Sequence, residues 1–247
     1  MTLLAIIGGS GLSGLANLEV TRRQVLRTPY GEPSGPLTFG NIGGQPVAFL
    51  ARHGYGHTIA PHEVNYRANM WALKEQTITS VVSVASVGSI NKEFRPGSLI
   101  LPDQIIDYTW GRRATFFEGP GAKVTHIDFT EPYTASLRKK ILDAASVCGQ
   151  EIADGAVYAA TQGPRLETAA EINRLERDGA GLVGMTAMPE AALARELGLE
   201  YATIAVVANY AAGRGDSVHA VSMDKIGIVL EAAMGKVRRI IEQLVAQ

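Results

Sequence analysis

The densest run of side chains able to do chemistry is Thr161 to Glu190, TQGPRLETAAEINRLERDGAGLVGMTAMPE. Gly163 and Pro164 make a tight turn that presents Arg165 and Glu167 just ahead of a helix whose inward positions include Ala169, Ile172 and Leu175. Leu182 to Gly184 read as a brief buried strand. Met185 and Thr186 follow it, where an open α/β sheet places its ligand, beyond the carboxyl end of a strand. The segment can therefore offer a carboxylate to a heterocycle, an apolar side chain to a sugar face and a hydroxyl to an anion. Taken singly, Glu167 is equally a first-turn acid favoured by the helix dipole, and Thr186 a cap ahead of Pro189 and Glu190.

Other clusters converge on the same chemistry. Leu3 to Ile7 is a short apolar run followed by GGSGLSG, which suits a first buried strand and a glycine turn where Ser10 and neighbouring amides bind an anion. Gly9, Gly11 and Gly14 also satisfy GxGxxG, so a dinucleotide-binding fold competes. Against it, Val20 to Thr28 is charged and reads as an edge strand. It delivers no acidic residue from a buried strand about 20 positions on, as ribose recognition requires. Pro46 to Ala51 is a further apolar run, ending in Arg52-His53-Gly54. Arginine gives planar paired donors and histidine a third, an oxyanion clamp; the bland alternative is a surface arginine beside a satisfied histidine. Ser80 to Val87 is a buried strand closing on Ala85-Ser86-Val87-Gly88, whose small residues let backbone and hydroxyl donors face the pocket of Ser10 and Arg52. His57 and His62 read as loop structure rather than a metal pair, and no run has zinc-ligand spacing.

The positioning elements follow from periodicity. VNYRANMWALK is an amphipathic helix with Val64, Ala68, Trp71 and Ala72 at helical spacing. Pro132 to Cys148 contains a second helix, Ala156 to Ala160 a strand, and Tyr201 to Ala208 a long apolar strand stopping at Asn209-Tyr210-Ala211-Ala212-Gly213. Ser222 to Ala246 is a long helix with Ile226, Leu230, Ala233, Val237, Ile240 and Leu244 inward. Pro96 to Asp103 turns into another strand, and Tyr108 to Gly121 is a loop long enough for a lid or a subunit contact. Strands alternating with helices predict an α/β fold, a single domain over 1–247 with a mixed, largely parallel central sheet flanked by helices.

Composition narrows the partners. A hydrophobic share of 46% with 19% charged residues is ordinary for a globular protein, and a net charge of -1 leaves no basic footprint for nucleic acid or an anionic membrane. Any anion must be held locally. The single cysteine, Cys148, cannot close an internal disulfide and favours a reducing cytoplasm. Met1 to Ile7 has no basic region followed by a long apolar core, and no apolar run reaches about 18 residues, so neither export nor membrane insertion is expected.

IIGGSGL, ARHG, VNYRANMWALK, GSLILPDQ, QGPRLET and GMTAMPEAALARE, in this order and over nearly the whole chain, resemble the purine nucleoside phosphorylase and methylthioadenosine phosphorylase family. The resemblance implies a homotrimer with active sites near subunit interfaces, and phosphorolysis of a purine nucleoside with inorganic phosphate as co-substrate and no cofactor. It puts phosphate on Ser10, Arg52, His53, Ala85, Ser86 and Thr186, and Met185 against the ribose. Asn209 then donates to the departing purine at N7, and His126, in THIDF, matches a residue that relatives offer to a neighbouring subunit's nucleoside. Arg52, His53 and Asn209 are the catalytic candidates.

Adenine-preferring relatives carry aspartates where Asn209 and Ala211 stand, and a small hydroxyl residue where Glu167 stands. An amide can turn its donor toward a 6-keto oxygen, whereas an aspartate accepts from a 6-amino group; a glutamate accepts from N1-H of a 6-oxopurine. At the far end, Met223 stands where inosine and guanosine phosphorylases put a histidine against the 5'-hydroxyl. A thioether packs around a methylthio group but cannot donate to a hydroxyl. Together these residues expect 5'-methylthioinosine as substrate. Methylthioadenosine or inosine and guanosine cleavage, a dinucleotide-dependent oxidoreductase and a non-catalytic nucleoside-binding protein stay open.

Overall fold

The computed structural model describes residues 3–12 and 14–247; Met1, Thr2 and Ser13 lie outside them. The fold is built on β5 (Ile78–Ser89), a long strand whose valines and serines are almost all buried. Its first half pairs in parallel with β1 (Leu3–Gly8), and β1 in turn with β4 (Gln45–Ala51). Its other edge pairs in parallel along nearly its whole length with β11 (Glu200–Tyr210), while its last residues meet β10 (Leu182–Gly184) in antiparallel sense. The sheet thus forks at β5. One branch runs from β10 through β9 (Val157–Ala160) to β7 (Gln104–Asp107); the other runs from β11 through β6 (Leu99–Leu101) to β8 (Ala153–Asp154).

A hairpin-connected pair, β2 (Glu19–Gln24) and β3 (Leu37–Ile42), extends the sheet beyond β4. β2 is exposed along most of its length, with Arg22 over the Phe39 ring, which suits an edge strand protected by charge. The sheet is mixed and largely parallel, as the alternation of strands and helices implies.

Helices cover both faces. On one side α1 (Tyr66–Glu75) packs on α4 (Ala187–Glu196), sharing a core with Leu50, Val81 and Val207 of the sheet. On the other, α2 (Ala135–Val147) packs on α5 (Met223–Val245), where Leu230, Ala233, Val237, Ile240 and Leu244 are buried as their spacing predicts. Burial of such apolar side chains, about 1.5–3 kcal/mol each, is the main force holding the layers together. The short helix α3 (Ala169–Arg177) buries Ile172 and Leu175 in a third, smaller cluster; Ala169, expected inward, is exposed. Among the described residues no helix is long and apolar enough to cross a membrane.

The consequence for function is a matter of strand ends. β4, β1 and β5 run side by side in parallel, so the turns after them open on the same edge of the sheet. The chain leaving β10 and the end of β11 reach that edge as well.

Candidate active site

A cavity of about 560 Å³ opens at this edge. It is lined by Ser10 after β1, Arg52 and His53 after β4, Ala85 and Ser86 on β5, and Met185 and Thr186 after β10. Glu167, Asn209, Ala211 and Met223 line the same cavity. Every residue expected at the site from the sequence is therefore brought together, with His126 the exception: it is exposed on the segment beyond β7 and does not line its own chain's cavity.

Arg52 is fully buried and does not present its fork to the cavity. Nε donates to Glu190 Oε2 at 2.7 Å and Nη2 to Glu190 Oε1 at 2.9 Å; Nη2 also donates to Ser83 Oγ at 2.6 Å, and Nη1 to the Val84 carbonyl at 3.1 Å. A guanidinium has five N-H donors, so one, on Nη1, is left over. Nη1 lies beside Gly9, where a Cβ would come within 2.9 Å of it. Glycine is needed there because any side chain would displace the cation. The paired-donor clamp expected of Arg52 is thus corrected: the pair is spent on Glu190, and a single donor remains for an anion. Burial acts to lower the guanidinium's pKa, but the Glu190 carboxylate outweighs it and holds it above its ordinary value. Glu190 is fully buried too and also accepts from Tyr201 Oη at 2.8 Å.

His53 is corrected in the same sense. Its Nδ1 lies 2.8 Å from the Ile59 carbonyl, an acceptor only, so Nδ1 carries the proton. Burial, and then the neighbouring Arg52, push the imidazole down to about 4, so the ring is neutral near pH 7. Nε2 is then an acceptor rather than the third donor expected from the sequence. Beside it, His57 lines the cavity with a ring 4.8 Å away and its Nε2 3.4 Å from Ser10 Oγ. His57 holds a positive φ of 51°. Sequence reasoning took it for loop structure, and nothing in the RHGYGH spacing separates it from one.

Thr186 precedes α4 as its N-cap residue, yet its side chain makes no capping bond, which leaves the hydroxyl available to an anion. Met185 is held in place by packing: a Cβ on Gly163 would overlap Met185 Sδ, and Gly163 holds φ 62°, so both space and conformation demand glycine in that turn.

At the far wall, α3 is capped by a reciprocal box of Thr168 and Glu171, so the first-turn acid is Glu171 and Glu167 stands before the helix. Glu167 is half-buried and accepts from Thr161 Oγ1 at 2.6 Å. Asn209 enters the cavity where the β11 register against β5 shifts between Val207 and Asn209, an irregularity of the kind that re-aims a side chain. Its Nδ2 donates to the Tyr210 carbonyl at 2.7 Å; its second N-H and its Oδ1 have no protein partner among the described residues. Ala211, 2% exposed, brings no polar side chain to the cavity. Met223 is 65% exposed rather than packed in the core, and Val221, Ile226 and Leu230 line the cavity with it.

Residues 3–246 match the phosphorylase superfamily, and the chain belongs to that family. A probable S-methyl-5'-thioinosine phosphorylase of Xanthomonas campestris pv. campestris is 53% identical over 232 residues, 94% of this chain and 93% of that protein. A 6-oxopurine nucleoside phosphorylase of Pyrococcus furiosus is 47% identical over 218 residues, 86% of this chain and 81% of that one. Among solved structures, methylthioadenosine phosphorylase from Schistosoma mansoni in complex with adenine superposes with a TM-score of 0.94 at 31% identity, covering 100% of this chain and 91% of the other. The dinucleotide-dependent oxidoreductase reading of GSGLSG falls with this assignment.

Glu190 was invisible from sequence because its partner lies 138 residues away. Removing it leaves Arg52 as a buried, uncompensated charge. Glu190→Ala is therefore expected to lower unfolding free energy by about 3–5 kcal/mol, read by denaturant titration; a change below about 1 kcal/mol would contradict the pairing.

Proposed function

We propose that this protein cleaves 5'-methylthioinosine with inorganic phosphate, giving hypoxanthine and 5-methylthioribose 1-phosphate. The observation that carries the reading is that an amide, a carboxylate, apolar side chains and anion-binding groups all line one cavity. At the base end, Asn209 and Glu167 line the wall and no carboxylate stands at 209 or 211. That donor and acceptor set suits a 6-oxopurine with N1-H and a 6-keto oxygen. At the other end Met223, Val221 and Ile226 provide no hydrogen-bond donor for a 5'-hydroxyl but suit a methylthio group.

In this reading phosphate is the nucleophile. A phosphate oxygen forms the bond to C1' as the C1'-N9 bond breaks, the bonding pair leaves on the purine, and the purine anion becomes hypoxanthine by taking a proton from solvent, to which the phosphate ester returns one. Ser10, the remaining N-H of Arg52, the backbone at Ala85 and Ser86, and the Thr186 hydroxyl hold phosphate below an oxocarbenium-like sugar. Neutral His53 accepts through Nε2 from the proton that hydrogenphosphate still carries. Met185 packs on the ribose. The second N-H of Asn209 meets charge growing at N7, and Glu167 accepts from N1-H. Preorganised donors of this kind need little reorganisation during the reaction. We further infer one domain over 1–247 working as a homotrimer in the cytoplasm, where His126 reaches a neighbour's nucleoside. What supports this arrangement is His126 standing away from its own cavity and apolar Ile228 exposed on the surface.

Phosphate-dependent turnover of methylthioinosine, methylthioadenosine and inosine should give methylthioinosine the highest kcat/KM, by about 100-fold over either competitor. Faster methylthioadenosine cleavage would mean that Asn209 and Ala211 do not select the base. The double variant Asn209→Asp with Ala211→Asp should shift preference toward methylthioadenosine; an unchanged ratio of specificity constants would remove these side chains as the selector.

A further inference from the structure

Arg112 lies behind the wall of the cavity and does not line it. Its guanidinium nevertheless meets the backbone around the site at four carbonyls. Nη1 donates to the carbonyls of Met185 at 2.7 Å and Met188 at 2.6 Å, and reaches Tyr66 Oη at 3.4 Å. Nη2 donates to the carbonyls of Gln162 at 2.8 Å and Thr161 at 3.3 Å, and Nε to Gln162 Oε1 at 3.2 Å. One planar cation therefore bridges the chain leaving β9 and the chain leaving β10, while resting on the first residue of α1.

The Met185 carbonyl needs an outside donor for a local reason. The start of α4 is broken at Met188, which holds φ -116° and ψ 138°, and Pro189 has no N-H to give. The two bridged stretches are the ones that carry the substrate contacts. Thr161 donates to Glu167, which faces the base, while Met185 and Thr186 face sugar and anion. Met185 is also wedged against Gly163 of the first stretch. Displacing either stretch moves the other.

We propose that Arg112 is a positioning residue that keeps the base, sugar and phosphate subsites in one register. The inference rests on the reading of the cavity as a nucleoside and phosphate site. Its fork is rigid and planar, so the two carbonyl pairs are held at a fixed separation; a lysine ammonium, a point charge, cannot span both. Misplacement of bound reactants by about 1 Å can lower rate about 100-fold, and here the error would fall on both substrates together.

The test is a kinetic comparison of wild type, Arg112→Ala and Arg112→Lys, with methylthioinosine and phosphate varied independently. Arg112→Ala should lose about 100-fold in kcat/KM, with KM for the nucleoside and for phosphate rising together, and added guanidinium ion should recover part of the rate. Thr186→Ala, by contrast, should move the phosphate KM alone, and Glu167→Ala the nucleoside KM alone. Arg112→Lys should raise both KM values, less steeply than alanine does, and it carries the test if alanine fails to fold. An Arg112 variant that melts earlier but keeps both KM values, or that moves only one, would overturn the proposal. Wild-type protein inert toward all three nucleosides would instead contradict the reading of the cavity, a distinct failure.

Discussion

A buried ion pair sets the geometry of this molecule. Arg52 and Glu190 are both fully buried, and they meet through two hydrogen bonds of 2.7 and 2.9 Å. Two charges removed from water are tolerated only when each is closely matched and its remaining donors and acceptors are satisfied. Here Ser83, Val84 and Tyr201 complete the set. The pair joins the end of β4 to the first turn of α4 across β5, the strand at which the sheet forks. Every group assigned to the anion lies on or next to one of those elements. The same pairing limits Arg52 to one spare donor, so a phosphate would be held by many modest contacts rather than by one bidentate clamp.

Around that pair the backbone has been shaped by what must approach it. Gly9 leaves room for the guanidinium, and Gly163 leaves room for Met185. The shift of register in β11 brings Asn209 to the cavity while the strand goes on to Tyr210. Arg112 then ties together two stretches, in one of which a broken helix start leaves the Met185 carbonyl in need of a donor. Stability and site geometry are therefore set by the same contacts, which is why changes at Glu190 or Arg112 bear on both.

Much of this was legible in the chain. The apolar runs at Leu3 to Ile7, Pro46 to Ala51, Ser80 to Val87 and Tyr201 to Ala208 are long or branched enough to announce buried strands, and the inward face of α5 follows from its spacing. Residues at strand ends could be picked out because type and place coincide: a hydroxyl, an arginine or an amide just past an apolar run. What the chain conceals is pairing over distance. Glu190 looks like a helix-start acid until the fold sets it against Arg52, and Arg112 looks like a loop cation until its carbonyl partners come round from two other strands. The proton on His53 is equally hidden, because it depends on the carbonyl of Ile59, placed by a turn that sequence does not specify. Ala169 failed for the opposite reason: helical spacing placed it on the inner face, but the first turn of α3 stands clear of the cluster that buries Ile172 and Leu175.

The central claim is that one cavity holds a 6-oxopurine between Glu167 and Asn209 while an anion rests against the single donor left on Arg52. The most direct measurement is a crystal structure of the protein grown with hypoxanthine and inorganic phosphate. The Asn209 amide is expected within hydrogen-bond distance of N7, Glu167 against N1, and a phosphate oxygen within reach of Arg52 Nη1 and the Thr186 hydroxyl. A purine turned so that Glu167 meets no ring N-H, or a phosphate bound away from Arg52 and Thr186, would contradict it.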